Sequence, residues 1–98
     1  MAAEMKELID RSIKYHGDLS GKLGGAFTSS AYIGGGNETT LLSILKAMLI
    51  HGMVIVGVHN ADHYGPVSIG SPDERAEKQC RNYAKKFADT LKSLKGFD

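Results

Sequence analysis

Cysteine is almost absent from this sequence, and so are the usual signs of export or membrane insertion. Cys80 is the single cysteine, which excludes a disulfide bond within the chain. No apolar run approaches the ~20 residues that a membrane-spanning helix needs. The residues from Met1 to Lys6 lack the basic and then apolar pattern of a secretory signal. A cytoplasmic protein with a reduced thiol is therefore expected.

An excess of charge of one sign is lacking too. Twelve Lys and Arg residues balance 11 Asp and Glu residues, so the formal net charge is +1 at pH 7. Binding to nucleic acid or to an anionic membrane is therefore not expected. The chain also lacks the two glycine motifs that bind nucleotide phosphates, Gly-x-x-x-x-Gly-Lys-Ser/Thr and Gly-x-Gly-x-x-Gly. A dinucleotide fingerprint is thus excluded.

Few residues could act as metal ligands or nucleophiles. His59, Asp62 and His63 share one polar segment, but further convergent ligands are not evident, so no metal site is expected. Cys80 falls on the apolar side of the last predicted helix, which favours a place in the core over a nucleophile. Because no Ser–His–Asp arrangement can be defined, no catalytic side chain is assigned.

Periodicity predicts three segments in the first half of the chain. Apolar residues spaced by three and four predict a helix over residues 2–14. Residues 22–29 are short and apolar and predict a buried strand, although Gly24 and Gly25 are unusual inside one. A glycine-rich loop then leads to Asn37, which is expected to cap a largely buried helix over residues 38–50.

The second half predicts a strand and a long helix. Residues 53–58 are continuously apolar, as in a strand covered on both faces of a parallel sheet. A polar connection follows, and residues 67–70 add a short extended piece. Ser71 is expected to cap the last helix in a capping box with Glu74, and Gly96 is expected to end it.

The predicted order is helix, strand, helix, strand, helix, which is typical of an α/β protein with a parallel sheet. A single domain over residues 1–98 is expected. Two strands leave open edges, so a second copy of the chain or a separate N-terminal piece is expected to complete the sheet. The alternative is that residues 66–70 fold back as a third strand and that the domain stands alone.

Ligands in open α/β sheets bind at the carboxyl ends of the strands. Two segments are expected there, residues 28–37 and residues 59–66. The first offers hydroxyl groups and glycine backbone that a flat ligand could approach, although many such loops are only tight turns. Tyr15, Tyr32 and Tyr64 are candidates either for stacking on a planar ring or for ordinary packing.

Four stretches of the sequence together resemble one family. They are Phe27-Thr28-Ser29-Ser30, Gly34-Gly35-Gly36-Asn37-Glu38-Thr39-Thr40, His51-Gly52-Met53-Val54-Ile55-Val56-Gly57 and Tyr64-Gly65-Pro66-Val67. Their order and content resemble the central and C-terminal signature of WrbA-type NAD(P)H:quinone oxidoreductases, which are flavodoxin-like flavoproteins. The resemblance runs almost from end to end of the chain.

The resemblance implies the C-terminal half of a flavodoxin-like parallel sheet that binds FMN. It also implies two-electron transfer from NAD(P)H to quinones and a homo-oligomer, usually a tetramer. It places Ser29, Ser30, Ala31, Tyr32, Gly34 and Gly35 along the flavin ring and the ribityl chain. His51 corresponds to the family's flavin-site histidine, which acts partly across a subunit contact. This sequence has one extra residue near Ile33, so the alignment with the family around Tyr32 and Ile33 can shift by one residue.

The family's phosphate loop and first strand have no counterpart in these 98 residues. The first functional interpretation is therefore an FMN-dependent oxidoreductase module that by itself binds FMN weakly or not at all. A second interpretation is a half-flavodoxin domain without catalytic activity that self-associates or pairs with a partner chain. The third is a binding module for another planar ligand.

Overall fold

A computed structural model describes residues 1–94 of the chain. These residues form three α-helices and four short strands, which agrees with the predicted α/β architecture. The helices are α1 (Ala3–Arg11), α2 (Asn37–Ile50) and α3 (Glu74–Leu94), and the strands are β1 (Leu23–Gly24), β2 (Thr28–Ser30), β3 (Val54–Ile55) and β4 (Val67–Ile69). A short 3-10 helix, Ser12–Tyr15, follows α1.

The sheet consists of two parallel pairs that lie one after the other. β1 pairs with β3, and β2 pairs with β4. Since β1 and β2 are parts of one extended segment, β3 and β4 together act as its single neighbour. The predicted strand over residues 53–58 is therefore too long, because only Val54–Ile55 is paired there. The expected extended piece is β4, which continues this ladder instead of folding back as a third strand.

A loop separates β3 from β4, because residues within this loop form hydrogen bonds with one another. Val58 donates its N–H to the carbonyl of His63 at 3.3 Å. The His63 ring nitrogen Nδ1 lies 2.7 Å from the Val58 carbonyl oxygen. The ladder resumes where Thr28 donates its N–H to the Pro66 carbonyl at 3.1 Å. The segment between β3 and β4 thus closes on itself before the chain rejoins β2.

Helix α2 covers one face of the sheet and forms the core. Ala26, Leu41, Ile44 and Leu45 are buried together, and Leu41 is only 1% exposed. Successive side chains of an extended segment point to opposite faces. A Cβ on Gly24 would accordingly meet the Met48 sulfur of α2 at 2.9 Å. The face that carries Gly24 and Ala26 is therefore the α2 face.

Helix α3 covers the opposite face. A Cβ on Gly25 would overlap the Tyr83 hydroxyl, and it would lie 3.0 Å from the Tyr83 Cζ atom. The two adjacent glycines therefore let a helix approach the strand closely on each face. Burial of the Tyr83 phenol raises the pKa of Tyr83. Its hydroxyl makes no hydrogen bond within residues 1–94.

Two predicted helix caps are wrong. Gly36, with φ of 88°, precedes α2, whereas Asn37 is its first residue and donates its side-chain amide to the Ser68 carbonyl at 3.4 Å. Asp73 caps α3, since its Oδ1 accepts the Ala76 N–H at 2.9 Å. Ser71 lies outside that helix, which begins at Glu74 directly after Asp73. The predicted stop at Gly96 lies outside the described residues.

The apolar stripe of α3 is largely uncovered. Ala76 is buried, but Cys80 is exposed, so its predicted place in the core is wrong. Leu91 is 36% and Leu94 is 50% exposed. The sheet is only two strands wide and cannot cover a 21-residue helix. The radius of gyration of 14.1 Å accordingly exceeds the value of about 12.6 Å typical of a compact domain of this length.

Candidate functional site

The carboxyl ends of β2 and β4 lie side by side and carry the loop that the sequence singled out. β2 is paired with β4 through Ser30 and Ile69, and the glycine-rich loop leaves directly after Ser30. A cavity of 310 Å³ opens here between the loop, the end of β4 and the start of α3. Its lining residues are Ile33, Gly34, Asn37, Val67, Ser68, Ile69, Asp73 and Arg75.

The loop itself is a tight turn tied to β2. The Ser30 hydroxyl donates to the Tyr32 carbonyl at 2.9 Å, and the Gly35 N–H donates to the same oxygen at 3.0 Å. A Cβ on Gly35 would lie 2.7 Å from the Ser30 Cβ, so this position needs glycine. Gly34 differs, because its φ is +78° and a Cβ would meet no atom within 4 Å. Open space therefore faces Gly34.

Six of the seven predicted cofactor-binding residues lie together in this loop. Ser29, Ala31, Gly34 and Gly35 are exposed, as is Tyr32, of which 79% is exposed. Ser30, at the end of β2, is half-buried. Because Ser29 is exposed, its hydroxyl is accessible to a ligand. The loop and the end of β2 thus carry exposed hydroxyl, amide and aromatic groups.

The seventh residue, His51, lies at the other end of α2. The 14 residues of α2 separate it from the loop by roughly 21 Å along the helix axis. His51 is buried, and its Nε2 lies 2.9 Å from the Ser12 hydroxyl. Because that hydroxyl already donates to the Ile9 carbonyl at 2.6 Å, Nε2 of His51 must be the donor. Within one chain, His51 and the loop do not form one site.

The structural role of Asp62 was not predicted from the sequence. Asp62 holds the loop between β3 and β4 against α3. Asp62 forms an ion pair with Arg75 and accepts the Val67 N–H at 3.1 Å. Its own N–H donates to the Gln79 side chain at 2.9 Å. The Asp62 side chain is only 14% exposed. The 13-residue separation from Arg75 gave no local signal of this pair.

Replacing Asp62 with alanine is expected to lower the free energy of unfolding by about 1–3 kcal/mol, because the Val67 N–H loses its acceptor and the Arg75 pair is lost. Asp62→Asn keeps an acceptor for the Val67 N–H, so it is expected to lower the free energy of unfolding by less than Asp62→Ala does. Urea unfolding followed by circular dichroism measures both variants. Lys6→Ala, which removes the exposed Lys6–Asp10 pair, serves as the control and is expected to change little. Equal losses in Asp62→Ala and Lys6→Ala would contradict the assignment.

The other candidate side chains do not join the loop. The Tyr15 ring lies 5.2 Å from the Lys14 ammonium group, and Tyr64 packs edge-on against His63. Among residues 1–94, no group of three or more His, Cys, Asp or Glu side chains is arranged to hold a metal ion. Within the same residues, no helix is both long enough and apolar enough to cross a membrane.

No protein-family model matches the chain, but curated proteins match it over nearly its whole length. A protein from Archaeoglobus fulgidus named NAD(P)H dehydrogenase (quinone) is 35% identical over 103 residues, covering 96% of this chain and 54% of that protein. An iron-sulfur flavoprotein from Methanocaldococcus jannaschii is 35% identical over 104 residues, covering 97% of this chain and 54% of that protein. A flavodoxin from Clostridium saccharobutylicum is 32% identical over 96 residues, covering 93% of this chain and 59% of the flavodoxin.

These relatives agree with the architecture of parallel strands and covering helices. The chain spans about half the length of the curated relatives it matches. The predicted resemblance to flavodoxin-like quinone oxidoreductases is thereby confirmed. Over nearly its whole length the chain is similar to part of a flavodoxin and of proteins named NAD(P)H dehydrogenase (quinone), which is consistent with the C-terminal half of a flavodoxin-like quinone oxidoreductase.

Proposed function

We propose that this chain is the C-terminal part of an FMN-dependent oxidoreductase of the WrbA type, which transfers two electrons from NAD(P)H to quinones in the cytoplasm. The observation that carries the proposal is the exposed loop from Ser29 to Gly35, which lies at the carboxyl ends of two parallel strands. The relatives named NAD(P)H dehydrogenase (quinone) support the reaction. The second relative, named a flavoprotein, supports a flavin as the cofactor.

The loop fits the ring and the ribityl chain of a flavin. The exposed Ser29 hydroxyl and the exposed loop backbone offer partners for polar ring atoms and for sugar hydroxyls. A ring can approach Gly34 closely because no atom lies where its Cβ would be. Tyr32 is exposed and offers a surface for stacking. When bound, the flavin supplies the hydride chemistry, whereas this loop binds and orients it.

The residues that line the cavity at the loop do not fit the phosphate of FMN. Arg75 is the cation that lines the cavity, and Asp62 already neutralises it. Glu38 brings negative charge to the first turn of α2, which weakens that helix end as an anion site. Charge-assisted hydrogen bonds to phosphate are normally strong. The phosphate contacts must therefore come from a part of the protein outside these residues.

His51 serves the flavin of another copy in this proposal. It lies roughly 21 Å along α2 from the loop of its own chain, so it can reach a flavin only across a contact between subunits. A homo-oligomer, usually a tetramer in the family, would provide that contact. The distance within one chain and the family resemblance together support the proposed oligomer.

Titration of FMN, followed by quenching of its fluorescence, tests the proposal. The chain alone is expected to bind FMN with a Kd weaker than about 1 μM, because the phosphate has no partner. Adding the part of the Archaeoglobus fulgidus relative that precedes the matched region is expected to tighten binding at least about tenfold. Sub-micromolar binding by the chain alone would contradict the phosphate argument. Unchanged binding after the addition, although the two chains associate, would contradict the flavin proposal.

Two glycines provide a matched pair of variants for the same titration. Gly34 and Gly21 share a φ of +78°, and a Cβ on either would meet no atom within 4 Å. Asparagine tolerates this conformation, so both variants are expected to fold. Gly34→Asn is expected to weaken FMN binding at least about tenfold by filling the space over the loop. Gly21→Asn, which lies before β1, is expected to leave FMN binding unchanged.

A further inference from the structure

Ser12 connects the end of α1 to the end of α2. It is the first residue after α1, and His51 is the first residue after α2. The Ser12 hydroxyl oxygen lies 2.6 Å from the Ile9 carbonyl oxygen and 2.9 Å from Nε2 of His51. Ser12 is half-buried, whereas only 9% of His51 is exposed. Because 39 residues separate Ser12 from His51 in the chain, this contact exists only where the two helices pack together.

The Ser12 hydroxyl donates to Ile9 and accepts from His51. A serine hydroxyl carries a single proton, and a carbonyl oxygen can only accept a hydrogen bond. The proton of Ser12 therefore lies between Ser12 and Ile9, in the last turn of α1, where carbonyls lack helical partners. The Ser12 oxygen has only lone pairs left for His51, so Nε2 of His51 carries a proton. A neutral imidazole has one N–H, which leaves Nδ1 of His51 as an acceptor.

Nδ1 of His51 is a buried acceptor that needs a partner. It makes no hydrogen bond within residues 1–94. His51 lines a cavity of 240 Å³ together with Ser12 and His16, and the apolar walls of this cavity include Ile13 and Ile50. Buried acceptors normally have a partner, because leaving one without a hydrogen bond costs free energy. The unpaired atom therefore indicates a donor that reaches His51 from outside the described residues.

The fold assigns different tautomers to different histidines. Nδ1 of His63 lies 2.7 Å from the Val58 carbonyl oxygen, so Nδ1 carries a proton in that ring. Nε2 of His16 lies 3.0 Å from the Ile50 carbonyl oxygen, so Nε2 carries a proton there. Backbone carbonyls determine both of these tautomers. The tautomer of His51 depends instead on the hydroxyl of a side chain, which a single substitution can remove.

We propose that Ser12 is a positioning residue for His51, which it holds with the proton on Nε2 and with Nδ1 as the acceptor for a ligand. This inference rests on the proposed function, in which His51 serves the flavin site of another copy. In that site Nδ1 accepts a hydrogen bond from an N–H or O–H group, and it disfavours a group that only accepts. Ser12 thereby determines which hydrogen-bonding groups His51 can bind.

The test observes the two ring nitrogens of each histidine by NMR of the isotope-labelled chain, without FMN. At about pH 8 histidine side chains are ordinarily neutral. Protonated and unprotonated ring nitrogens have different chemical shifts, so the spectrum reports the tautomer of each ring. His63 is the internal reference for a proton on Nδ1, and His16 is the reference for a proton on Nε2. His51 is expected to show the pattern of His16, whether or not the chain binds a flavin.

Substitutions of Ser12 separate the role of its hydroxyl from that of its packing. Ser12→Ala removes the acceptor, so exchange of the His51 Nε2 proton with solvent is expected to become at least about tenfold faster. Ser12→Thr keeps the hydroxyl and is expected to keep the slower exchange of the parent chain. Ser43→Ala, at an exposed serine of α2, is the control and is expected to leave the exchange unchanged. Circular dichroism verifies that the variants fold.

Three outcomes would overturn the proposal. The parent chain would contradict it if His51 showed the pattern of His63, and this result does not depend on how the variants fold. Unchanged proton exchange in Ser12→Ala would mean that another group fixes the tautomer. Equal acceleration in Ser12→Thr and Ser12→Ala would assign the effect to packing instead of the hydroxyl. None of these outcomes depends on FMN, so they are distinct from a failure of the flavin titration.

Discussion

Replacing Gly65 with alanine is expected to lower the free energy of unfolding by about 2–6 kcal/mol. Gly65 is buried with a φ of +134°, a conformation that L side chains rarely adopt. A Cβ there would overlap the Ala26 carbonyl oxygen and approach a Leu41 methyl at 3.6 Å. Because a backbone atom between β1 and β2 cannot turn aside as a flexible side chain can, the loop that carries Gly65 would have to move.

The expected loss is a large part of the roughly 5–15 kcal/mol that stabilises a typical domain. Urea unfolding followed by far-ultraviolet circular dichroism measures it. Gly70→Ala is the matched control, since Gly70 has φ of +72° but no atom within 4 Å of a Cβ. Gly70→Ala introduces the backbone strain without the overlap. It is expected to lower the free energy of unfolding by about 1–2 kcal/mol. If both variants lowered the free energy of unfolding equally, the overlap with the Ala26 carbonyl would not contribute to the loss of stability.

Gly65 also affects the candidate site. It precedes Pro66, whose carbonyl accepts the Thr28 N–H at the start of the β2–β4 ladder. That ladder positions the loop from Ser29 to Gly35. Gly65→Ala is therefore expected to disturb the site as well as the core, although Gly65 itself lies outside the loop.

Leu41→Ala is expected to lower the free energy of unfolding by about 2–5 kcal/mol, through lost burial and the cavity that remains. Leu41 is 1% exposed and is the largest fully buried side chain among residues 1–94. It packs with Ala26, Ile44 and Leu45, which form the core cluster. Because this core is small, few neighbours are available to move into the space.

Leu49→Ala is the control for this variant, because it removes the same atoms from the same helix. Leu49 is 53% exposed and lies one residue before the end of α2. Its loss is expected to stay within about 0.5 kcal/mol. Thermal unfolding offers a second readout, since about 1 kcal/mol shifts the Tm of such a domain by roughly 4–8 °C. Similar shifts for Leu41→Ala and Leu49→Ala would mean that the Leu41 cluster is not the core.

The helices were the most predictable elements. The expected range of residues 38–50 for α2 differs by one residue from the observed Asn37–Ile50. Its apolar residues and the preceding glycines are local signals, and a helix makes its hydrogen bonds within its own segment. The helix caps were less predictable, because Ser71, Asp73 and Asn37 all have suitable side chains. The choice among them depends on how the chain enters each helix.

The strands were less predictable because their hydrogen bonds join distant segments. Residues 53–58 have the composition of one strand, yet only Val54–Ile55 is paired. Mutual hydrogen bonds between Val58 and His63, together with the Asp62–Arg75 pair, remove the rest from the ladder. None of these partners is visible from apolar content alone.

The sequence by itself determined the α/β order of the elements, the glycine-rich loop after β2 and the resemblance to flavodoxin-like quinone oxidoreductases. These properties depend on residue types and spacings within short segments. Only the tertiary structure decided that Gly24 and Gly25 admit a helix on each face, that Cys80 stays exposed and that His51 lies far from the loop of its own chain. The physical reason is that close approach, burial and distance depend on which elements pack together, and packing joins residues that are far apart in the chain.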